Sequence, residues 1–240
     1  MYIRFNMQKY ISDIPDSIKR IKIDVGLSYA APHTQNWLAH DNDLYVFGFE
    51  PNPDCIDSLQ NEEIVSRPYP HHCKYNHHNY LQKNFCLIPV ALGNVKEPTT
   101  MQFFRMLDDC GTSSLNEPID TRLGSVKTIS NVPVYSLKHF FDVFDWNRFP
   151  IIEFLKIDAQ GSDYDILVGA GDYIQRIVYI TAEPESQFYA NVSHNTFENM
   201  KKYLESHGFI SIQHPYTSDP TFLNKKYLHL QHDIYIYQNG

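Results

Sequence analysis

The chain contains two consecutive apolar runs that each carry a carboxylate beside a turn. The first, Ile21 to Gly26, has Asp24 two residues before its glycine, and the second, Leu44 to Glu50, ends in the acid itself. Short apolar runs bounded by turn residues are typical of buried strands. In open α/β sheets the ligand lies beyond the carboxyl ends of the strands, and an acid roughly 20 residues after the first turn commonly binds ribose hydroxyls. Glu50 follows Gly26 by 24 residues, which predicts a nucleoside-binding crevice.

The remaining pattern predicts a single α/β domain over residues 1–240, in which residues 1–20 form an N-terminal extension or helix. Strands alternate with helices, which indicates a mostly parallel sheet wound on both faces, and a closing pair of strands indicates an antiparallel edge. Pro89 favours an edge position for the third strand. The predicted strands are 21–26, 44–50, 85–92, 151–158, 176–183, 209–214 and 233–238, and the predicted helices are 28–40, 54–62, 136–143, 164–169 and 196–207.

A polar stretch, 108–131, lies between two short strand candidates at 101–105 and 132–135. Loops of this length are uncommon unless they form a lid or a binding segment. We therefore expect this stretch to lie on the substrate side of the crevice. Ser113 and Ser114 within it are candidate substrate contacts, although loop serines more often interact only with solvent.

Composition disfavours several classes of function. The net charge of -8 gives no general attraction to phosphate backbones, so we expect no nucleic-acid partner. No apolar stretch approaches 18 residues and no secretory h-region is present, which predicts a cytoplasmic protein without a transmembrane segment.

The cysteines are widely spaced, which favours free thiols. The tyrosine-rich stretch 216–237 is compatible with core packing or with a homodimer surface.

The turn after the first strand favours a cofactor without a pyrophosphate. Gly26 and the small residues Ser28, Ala30 and Ala31 allow a ligand to approach the backbone closely. The chain has no GxGxxG motif, and a pyrophosphate normally depends on those glycines and on a helix N-terminus. S-adenosylmethionine is therefore favoured over NAD or FAD, and an NAD-dependent oxidoreductase is the weaker alternative.

Five segments, taken in order, resemble the FkbM-type methyltransferases. They are Ile23 to Gly26 (IDVG), Phe49 to Pro53 (FEPNP), Ala91 to Asn94 (ALGN), Ser113 to Leu115 (SSL) and Leu155 to Gly161 (LKIDAQG). LKIDxxG after FEPNP is the most specific part. The resemblance implies a class I methyltransferase (Rossmann-like) fold, with a mostly parallel seven-stranded sheet, helices on both faces and an antiparallel edge strand. It also implies S-adenosylmethionine as the cofactor and a hydroxyl as the usual methyl acceptor.

The resemblance further implies roles for individual residues. Asp24 and Gly26 would line the methionine end of the cofactor, Glu50 would bind the ribose diol, and Asp158 would face the transferred methyl group. The implied cofactor contacts are Asp24, Gly26, Ser28, Glu50, Pro51, Asn52, Ala91, Leu92, Asp158 and Gln160. Two positions depart from the family pattern. Leu27-Ser28-Tyr29 replaces a turn that usually has a second small residue and an asparagine, and Gln160 stands where a glutamate is common.

Methyl transfer to an unactivated hydroxyl needs in-line alignment and a base that accepts the hydroxyl proton. Asp158 is the first candidate base because it ends a central strand beside the cofactor. Glu183, at the end of the neighbouring strand, is the second. His139 is a third candidate and a candidate substrate contact, although a helix-surface position is the simpler interpretation. Asp158 and Glu183 could also share a divalent cation.

A histidine-rich segment is a further candidate for metal binding. His71, His72, Cys73, His77 and His78 supply ligands at short spacing, but no matched second pair accompanies them. We therefore expect a solvated loop and no metal site.

Together these patterns predict a soluble S-adenosylmethionine-dependent O-methyltransferase that acts on a saccharide or small-molecule acceptor. A hydroxyl of a sugar or glycan is the first choice, and a lipid or a small natural product is the alternative. A hypothesis of a different class is a non-catalytic binding module whose altered Leu27-Ser28-Tyr29 turn no longer binds the cofactor.

Overall fold

The computed structural model describes residues 7–11, 13–60, 84–212 and 219–230. Seven strands form its central sheet: β1 Arg20–Val25, β2 Leu44–Phe49, β3 Phe85–Ile88, β7 Ile152–Ile157, β8 Ile177–Ala182, β9 Phe209–Ile212 and β10 Thr221–Asn224. Their order across the sheet is β3-β2-β1-β7-β8-β10-β9. The mostly parallel seven-stranded sheet expected from the sequence is confirmed.

The middle of the sheet is parallel and buried on both faces. β1 pairs in parallel with β2 on one side and with β7 on the other, and β8 pairs in parallel with β7. Every residue of β2, β7 and β8 is buried, which explains why these strands are mostly apolar without alternation, the polar exceptions being Glu153, Lys156 and Thr181. Because the strands run in the same direction, the carboxyl ends of β1, β2 and β7 meet at one edge.

β10 runs antiparallel to both β8 and β9. Among the described strands, β9 is therefore the edge strand and β10 is its only neighbour. The sequence placed the closing strands at 209–214 and 233–238. The first corresponds to β9, and the second lies outside the described residues. Thr221–Asn224 was missed because a buried run of four residues is too short to show a periodicity.

The single predicted strand 85–92 is wrong, because it divides at Pro89, which has no backbone N–H to donate to a ladder. β3 is an edge among the described strands, as Pro89 indicated. After Val90 the chain forms β4, Ala91–Leu92, which pairs with β6, Val126–Tyr135, in a second sheet completed by β5, Thr99–Met106. β5 and β6 are longer than predicted, so residues 107–125 connect them. The lid role of the 108–131 stretch stays a prediction.

Helices cover both faces of the central sheet, as expected. On one face α2, Pro32–His40, packs Trp37 and Leu38 against β2. On the other face, α4 Leu137–Phe141, α5 Asp163–Gly169 and α6 Phe197–Ser206 bury apolar side chains in the main core. Ser136 caps α4, and the Thr196 hydroxyl accepts a hydrogen bond from the Asn199 N–H at the start of α6. The other helices described are α1 Gln8–Ile11 and α3 Pro53–Gln60.

Two expectations from the sequence fall on parts of the chain that are not described. The histidine-rich segment 71–78 lies outside the described residues, as do 216–218 and 231–237 of the tyrosine-rich stretch. None of the helices in the described ranges has both the length and the apolar character needed to cross a membrane.

Candidate functional site

A cleft opens at the carboxyl edge of the central sheet. Its empty volume is ≈ 550 Å³, including solvent space at the mouth, and its walls include the ends of β1, β2 and β7 and residues from 110 to 115. Nine residues singled out in the sequence line it: Gly26, Ser28, Glu50, Pro51, Ala91, Leu92, Ser113, Asp158 and Gln160. Five others, Asp24, Asn52, Ser114, His139 and Glu183, are not part of its lining.

Glu50 presents a buried carboxylate to this cleft. Its Oε2 accepts a hydrogen bond from the Ser28 N–H at 2.9 Å, and its Oε1 accepts one from the Asn52 N–H at 2.8 Å. Burial raises the pKa of Glu50 to about 7, although the two N–H groups and Lys156 act in the opposite direction. Each carboxylate oxygen retains a lone pair for a further donor. Glu50 can therefore accept two hydrogen bonds from a vicinal diol.

The turn after β1 is built from left-handed backbone conformations. Gly26 has a φ of 76° and Ser28 a φ of 56°. A Cβ on Gly26 would overlap the carbonyl oxygen of Asp158, so only glycine lets the ends of β1 and β7 approach this closely. Leu27 and Tyr29, on either side of Ser28, are buried. The departure from the family pattern at Leu27-Ser28-Tyr29 therefore preserves a tight turn.

Lys156 is a buried cation of the site that the sequence analysis missed. Its Nζ lies 3.3 Å from Asp24 Oδ1 and 3.5 Å from Asp158 Oδ2, and it donates a hydrogen bond to the Gly26 carbonyl oxygen at 2.8 Å. Burial by itself lowers the pKa of Lys156, but the two carboxylates more than offset this and raise it above its ordinary value. Lys156 therefore stays charged and ties β1 to β7 at their carboxyl ends.

Asp24 supports the turn from beneath. Its side chain is 1% exposed. Its Oδ2 accepts a hydrogen bond from the Thr34 hydroxyl at 2.7 Å, and its Oδ1 faces the Lys156 ammonium. Asp24 is therefore linked to the cleft through Lys156, whose ammonium group also lies beside the cleft residue Asp158.

Asp158 and Glu183 form a hydrogen-bonded carboxyl pair where β7 and β8 end. Asp158 lines the cleft, and its Oδ1 accepts a hydrogen bond from Gln160 Nε2 at 2.7 Å. Burial tends to raise the pKa of Asp158, yet Lys156, Gln160 and Glu183 hold it below its ordinary value. Burial, followed by the negative charge of Asp158, raises the pKa of Glu183 to about 9. At neutral pH Glu183 is therefore the protonated partner and Asp158 the ionised one.

Two more carboxyl groups surround this pair. Asp163 is fully buried and accepts hydrogen bonds from the Ala159 N–H at 3.2 Å and the Glu183 N–H at 3.0 Å. Burial, then the charge of Asp158, raises the pKa of Asp163 to about 8 and that of Glu185 to about 7. Asp163 thus fixes the backbone just after the ends of both β7 and β8. Across the described ranges, no group of three or more His, Cys, Asp or Glu side chains is arranged to hold a metal ion.

Asn52, Ser113 and Ser114 hold residues 110–116 over the cleft. Ser113 Oγ accepts hydrogen bonds from Asn52 Nδ2 and from the Met106 N–H, both at 3.0 Å. The Ser114 hydroxyl donates to the Gln160 carbonyl oxygen at 2.6 Å. Asn52 and Ser114 therefore position this segment, whereas Ser113 also reaches the cleft.

His139 lies on α4, outside the cleft lining. Its Nδ1 accepts a hydrogen bond from the Ser136 N–H at 3.1 Å, and its Nε2 lies 3.2 Å from the Lys96 carbonyl oxygen. These contacts assign His139 a role in capping the helix. Its position gives no support to the substrate contact predicted from the sequence.

Comparison with protein families agrees with this geometry. A family model described as the methyltransferase FkbM domain matches residues 24–211, which is more than half of the chain. The matched range contains both acidic strand ends, Asp24 and Glu50, and the Asp158–Glu183 pair. No curated protein matches the chain.

Proposed function

The chain belongs to the FkbM methyltransferase family, and from that membership we propose that it transfers a methyl group from S-adenosylmethionine to a hydroxyl of a sugar or glycan. The observation that carries the proposal is the geometry of Glu50. A carboxylate at the end of β2, facing a cleft with a free lone pair on each oxygen, is the arrangement that a ribose diol requires.

The other cleft residues also fit S-adenosylmethionine. Phe49, Val90 and Leu92 give the lining an apolar part that suits an adenine ring. The turn at Gly26 leaves the backbone open to close approach, while the chain lacks the glycines that a pyrophosphate needs. When bound, the cofactor supplies an electrophilic methyl group on a sulfonium.

Asp158 is the residue that we propose as the general base. It lines the cleft and is ionised at neutral pH, because Glu183 carries the proton of the pair. The Asp158 carboxylate would accept the proton that the acceptor hydroxyl loses when it is methylated. Glu183, with a pKa of about 9, stabilises that carboxylate through its hydrogen bond.

The rim near the end of β8 supports a neutral, polyhydroxylated acceptor. Asp158, Glu183 and Glu185 supply carboxyl groups that can exchange hydrogen bonds with several hydroxyls of a saccharide. The negative charge of Asp158, together with that of Glu185 in its ionised form, disfavours phosphorylated or carboxylated acceptors.

We further propose a cytoplasmic location. The cysteines among the described residues, Cys55, Cys86 and Cys110, are reduced thiols, which is typical of proteins in a reducing compartment.

Isothermal titration with S-adenosylhomocysteine, the demethylated product, tests the cofactor. Binding by the wild-type protein and weaker binding by Glu50→Gln are the expected results. Folded wild-type protein that binds neither this product nor S-adenosylmethionine would instead be a binding module without cofactor use.

A mass-spectrometric screen for the gain of one methyl group tests the acceptor. Neutral saccharides should be methylated in preference to anionic saccharides, lipids and small natural products. Methylation confined to a lipid or a natural product would overturn the acceptor class and leave the methyl transfer itself intact.

A further inference from the structure

The hydroxyl of Tyr189 lies where three segments of the site meet. The side chain is buried, and its oxygen lies 2.7 Å from Gln160 Oε1 and 2.9 Å from the Thr112 carbonyl oxygen. Gln160 belongs to the turn after β7, and Thr112 belongs to the segment over the cleft. The hydroxyl of Tyr189, which follows β8 in the chain, therefore contacts both of these segments.

The orientation of the Gln160 amide follows from its two partners. Asp158 is ionised and can only accept, so Gln160 Nε2 points at Asp158 Oδ1, 2.7 Å away. The amide oxygen then faces Tyr189, whose single hydroxyl proton is assigned to the shorter of its two contacts, Gln160 Oε1 at 2.7 Å, and not to the Thr112 carbonyl oxygen at 2.9 Å. Burial raises the pKa of Tyr189 above its ordinary value, so this proton is present at neutral pH. A reversed amide would set two acceptors against each other at Asp158.

We propose that Tyr189 is a positioning residue for methyl transfer: its hydroxyl fixes the Gln160 amide, and the amide orients and stabilises the Asp158 carboxylate. The inference rests on the proposed function, in which Asp158 is the general base. Tyr189 acts through Gln160 and is not part of the cleft lining.

The same phenol links the base to the segment over the cleft. The Ser114 hydroxyl donates to the Gln160 carbonyl oxygen at 2.6 Å, and Pro118 forms an antiparallel β-bridge with Tyr189. Gln160 has a φ of 51°, in the left-handed region that residues other than glycine adopt uncommonly. The Ser114 hydroxyl contacts the Gln160 backbone and the Tyr189 hydroxyl contacts its side chain, so both help to hold this turn. One set of hydrogen bonds thus positions both the base and the segment that would cover the acceptor.

Tyr189→Phe removes the hydroxyl and keeps the ring. The Gln160 amide then loses the partner that fixes it, so Asp158 loses part of the hydrogen bond that favours its ionised form and its pKa rises. We expect the lower apparent pKa of the Asp158–Glu183 pair to rise by about 0.5–1 pH unit, a fraction of what a hydrogen bond to a charged group contributes. Carbon-13 NMR of the side-chain carboxyl groups during a pH titration measures this shift.

Two further variants make the test specific. Gln160→Met removes the amide itself, so it should shift the Asp158 titration at least as far, and adding Tyr189→Phe to it should change nothing more. Tyr203→Phe is the matched control, because it removes a phenol hydroxyl that donates to the Leu167 carbonyl oxygen at 3.3 Å, and it should leave the titration unchanged. An unchanged titration in Tyr189→Phe, or additive shifts in the double variant, would overturn the proposal.

A measurement on the wild-type protein covers the case in which Tyr189→Phe does not fold. The side-chain amide protons of Gln160 should show stronger nuclear Overhauser effects to Asp158 than to the Tyr189 ring, and the reverse result would refute the proposed orientation. The carboxyl titration needs no ligand. Failure of the wild-type protein to bind S-adenosylhomocysteine would therefore contradict the proposed function, whereas an unchanged titration in a variant that binds it contradicts this inference alone.

Discussion

Replacing Glu50 with glutamine should weaken cofactor binding and, at the same time, leave the unliganded protein as stable as wild type or more so above neutral pH. Both effects arise from one buried carboxylate. The ionised group is a strong acceptor for a ligand, but its burial without a full complement of partners destabilises the fold.

The effect on binding follows from the number of acceptors. The Glu50 carboxylate can accept a charge-assisted hydrogen bond from each hydroxyl of a ribose diol, whereas glutamine offers one neutral acceptor. A hydrogen bond to a charged group contributes about 1.5–3 kcal/mol. Loss of one such bond predicts roughly tenfold to hundredfold weaker binding of S-adenosylhomocysteine.

The effect on stability follows from the raised pKa. The ordinary value of 4.5 applies to the unfolded chain, and the folded value is about 7, so the unfolded state loses its proton first as the pH rises. Glu50 therefore lowers the free energy of unfolding between these two pH values, by about 3 kcal/mol in all. Glutamine avoids that cost, but its amide NH₂ leaves the N–H of Ser28 or Asn52 without an acceptor, which costs about 1–3 kcal/mol. The net expectation is a gain of roughly 0–2 kcal/mol.

Urea unfolding at about pH 5 and about pH 8, together with isothermal titration, measures both effects. Glu153→Gln is the matched control, because burial also raises the pKa of Glu153, which lies beside Arg20 near the start of β7. It should alter the pH dependence of stability and leave the affinity for S-adenosylhomocysteine unchanged. Unchanged affinity in Glu50→Gln would show that the ribose binds elsewhere. A pH dependence of stability identical to wild type would refute the argument from burial.

Three further variants test the rest of the site. Lys156→Met should lower the free energy of unfolding in urea by about 3–5 kcal/mol, because the buried Asp24 carboxylate loses its cation; a much smaller loss would mean that other groups neutralise Asp24. Gly26→Ala should lower the midpoint of thermal unfolding by about 2–4 °C or more, since the added Cβ overlaps the Asp158 carbonyl oxygen. An unchanged midpoint would show that the ends of β1 and β7 separate at little cost. Asp158→Asn should reduce kcat on an identified acceptor by about a hundredfold to ten-thousandfold while the variant still binds S-adenosylhomocysteine, and retained activity would assign the base to another residue.

The sequence predicted Glu50 and Asp158 because their signals are local. Each ends an apolar run, and parallel strands bring such ends together. Lys156 has no comparable signal. It lies inside an apolar run, and its partner Asp24 is distant in sequence, so the two meet only because β1 and β7 pair in a register that sets them opposite each other. A contact of this kind requires the strand order before it can be inferred.

Other parts of the fold were missed for different physical reasons. The apolar run 85–92 continues through Pro89, so hydrophobicity alone could not show that β4 leaves the central sheet. Tyr189 lies in a stretch without regular secondary structure, where no periodicity predicts which way a side chain points. Its contacts with Gln160 and Thr112 depend on how three separate segments pack.

Asp24 and Glu50, which look equivalent in the sequence, differ in what balances their charge. Asp24 lies against the Lys156 ammonium, so its charge is compensated inside the protein. Glu50 accepts hydrogen bonds from two backbone N–H groups instead. Its pKa of about 7 indicates that these bonds stabilise the carboxylate less than burial destabilises it. A ligand that donates two hydrogen bonds favours the ionised form and thereby relieves this cost. Glu50, whose charge the fold balances less well, is therefore suited to bind a ligand, whereas Asp24, whose charge lies against Lys156, is suited to support the turn.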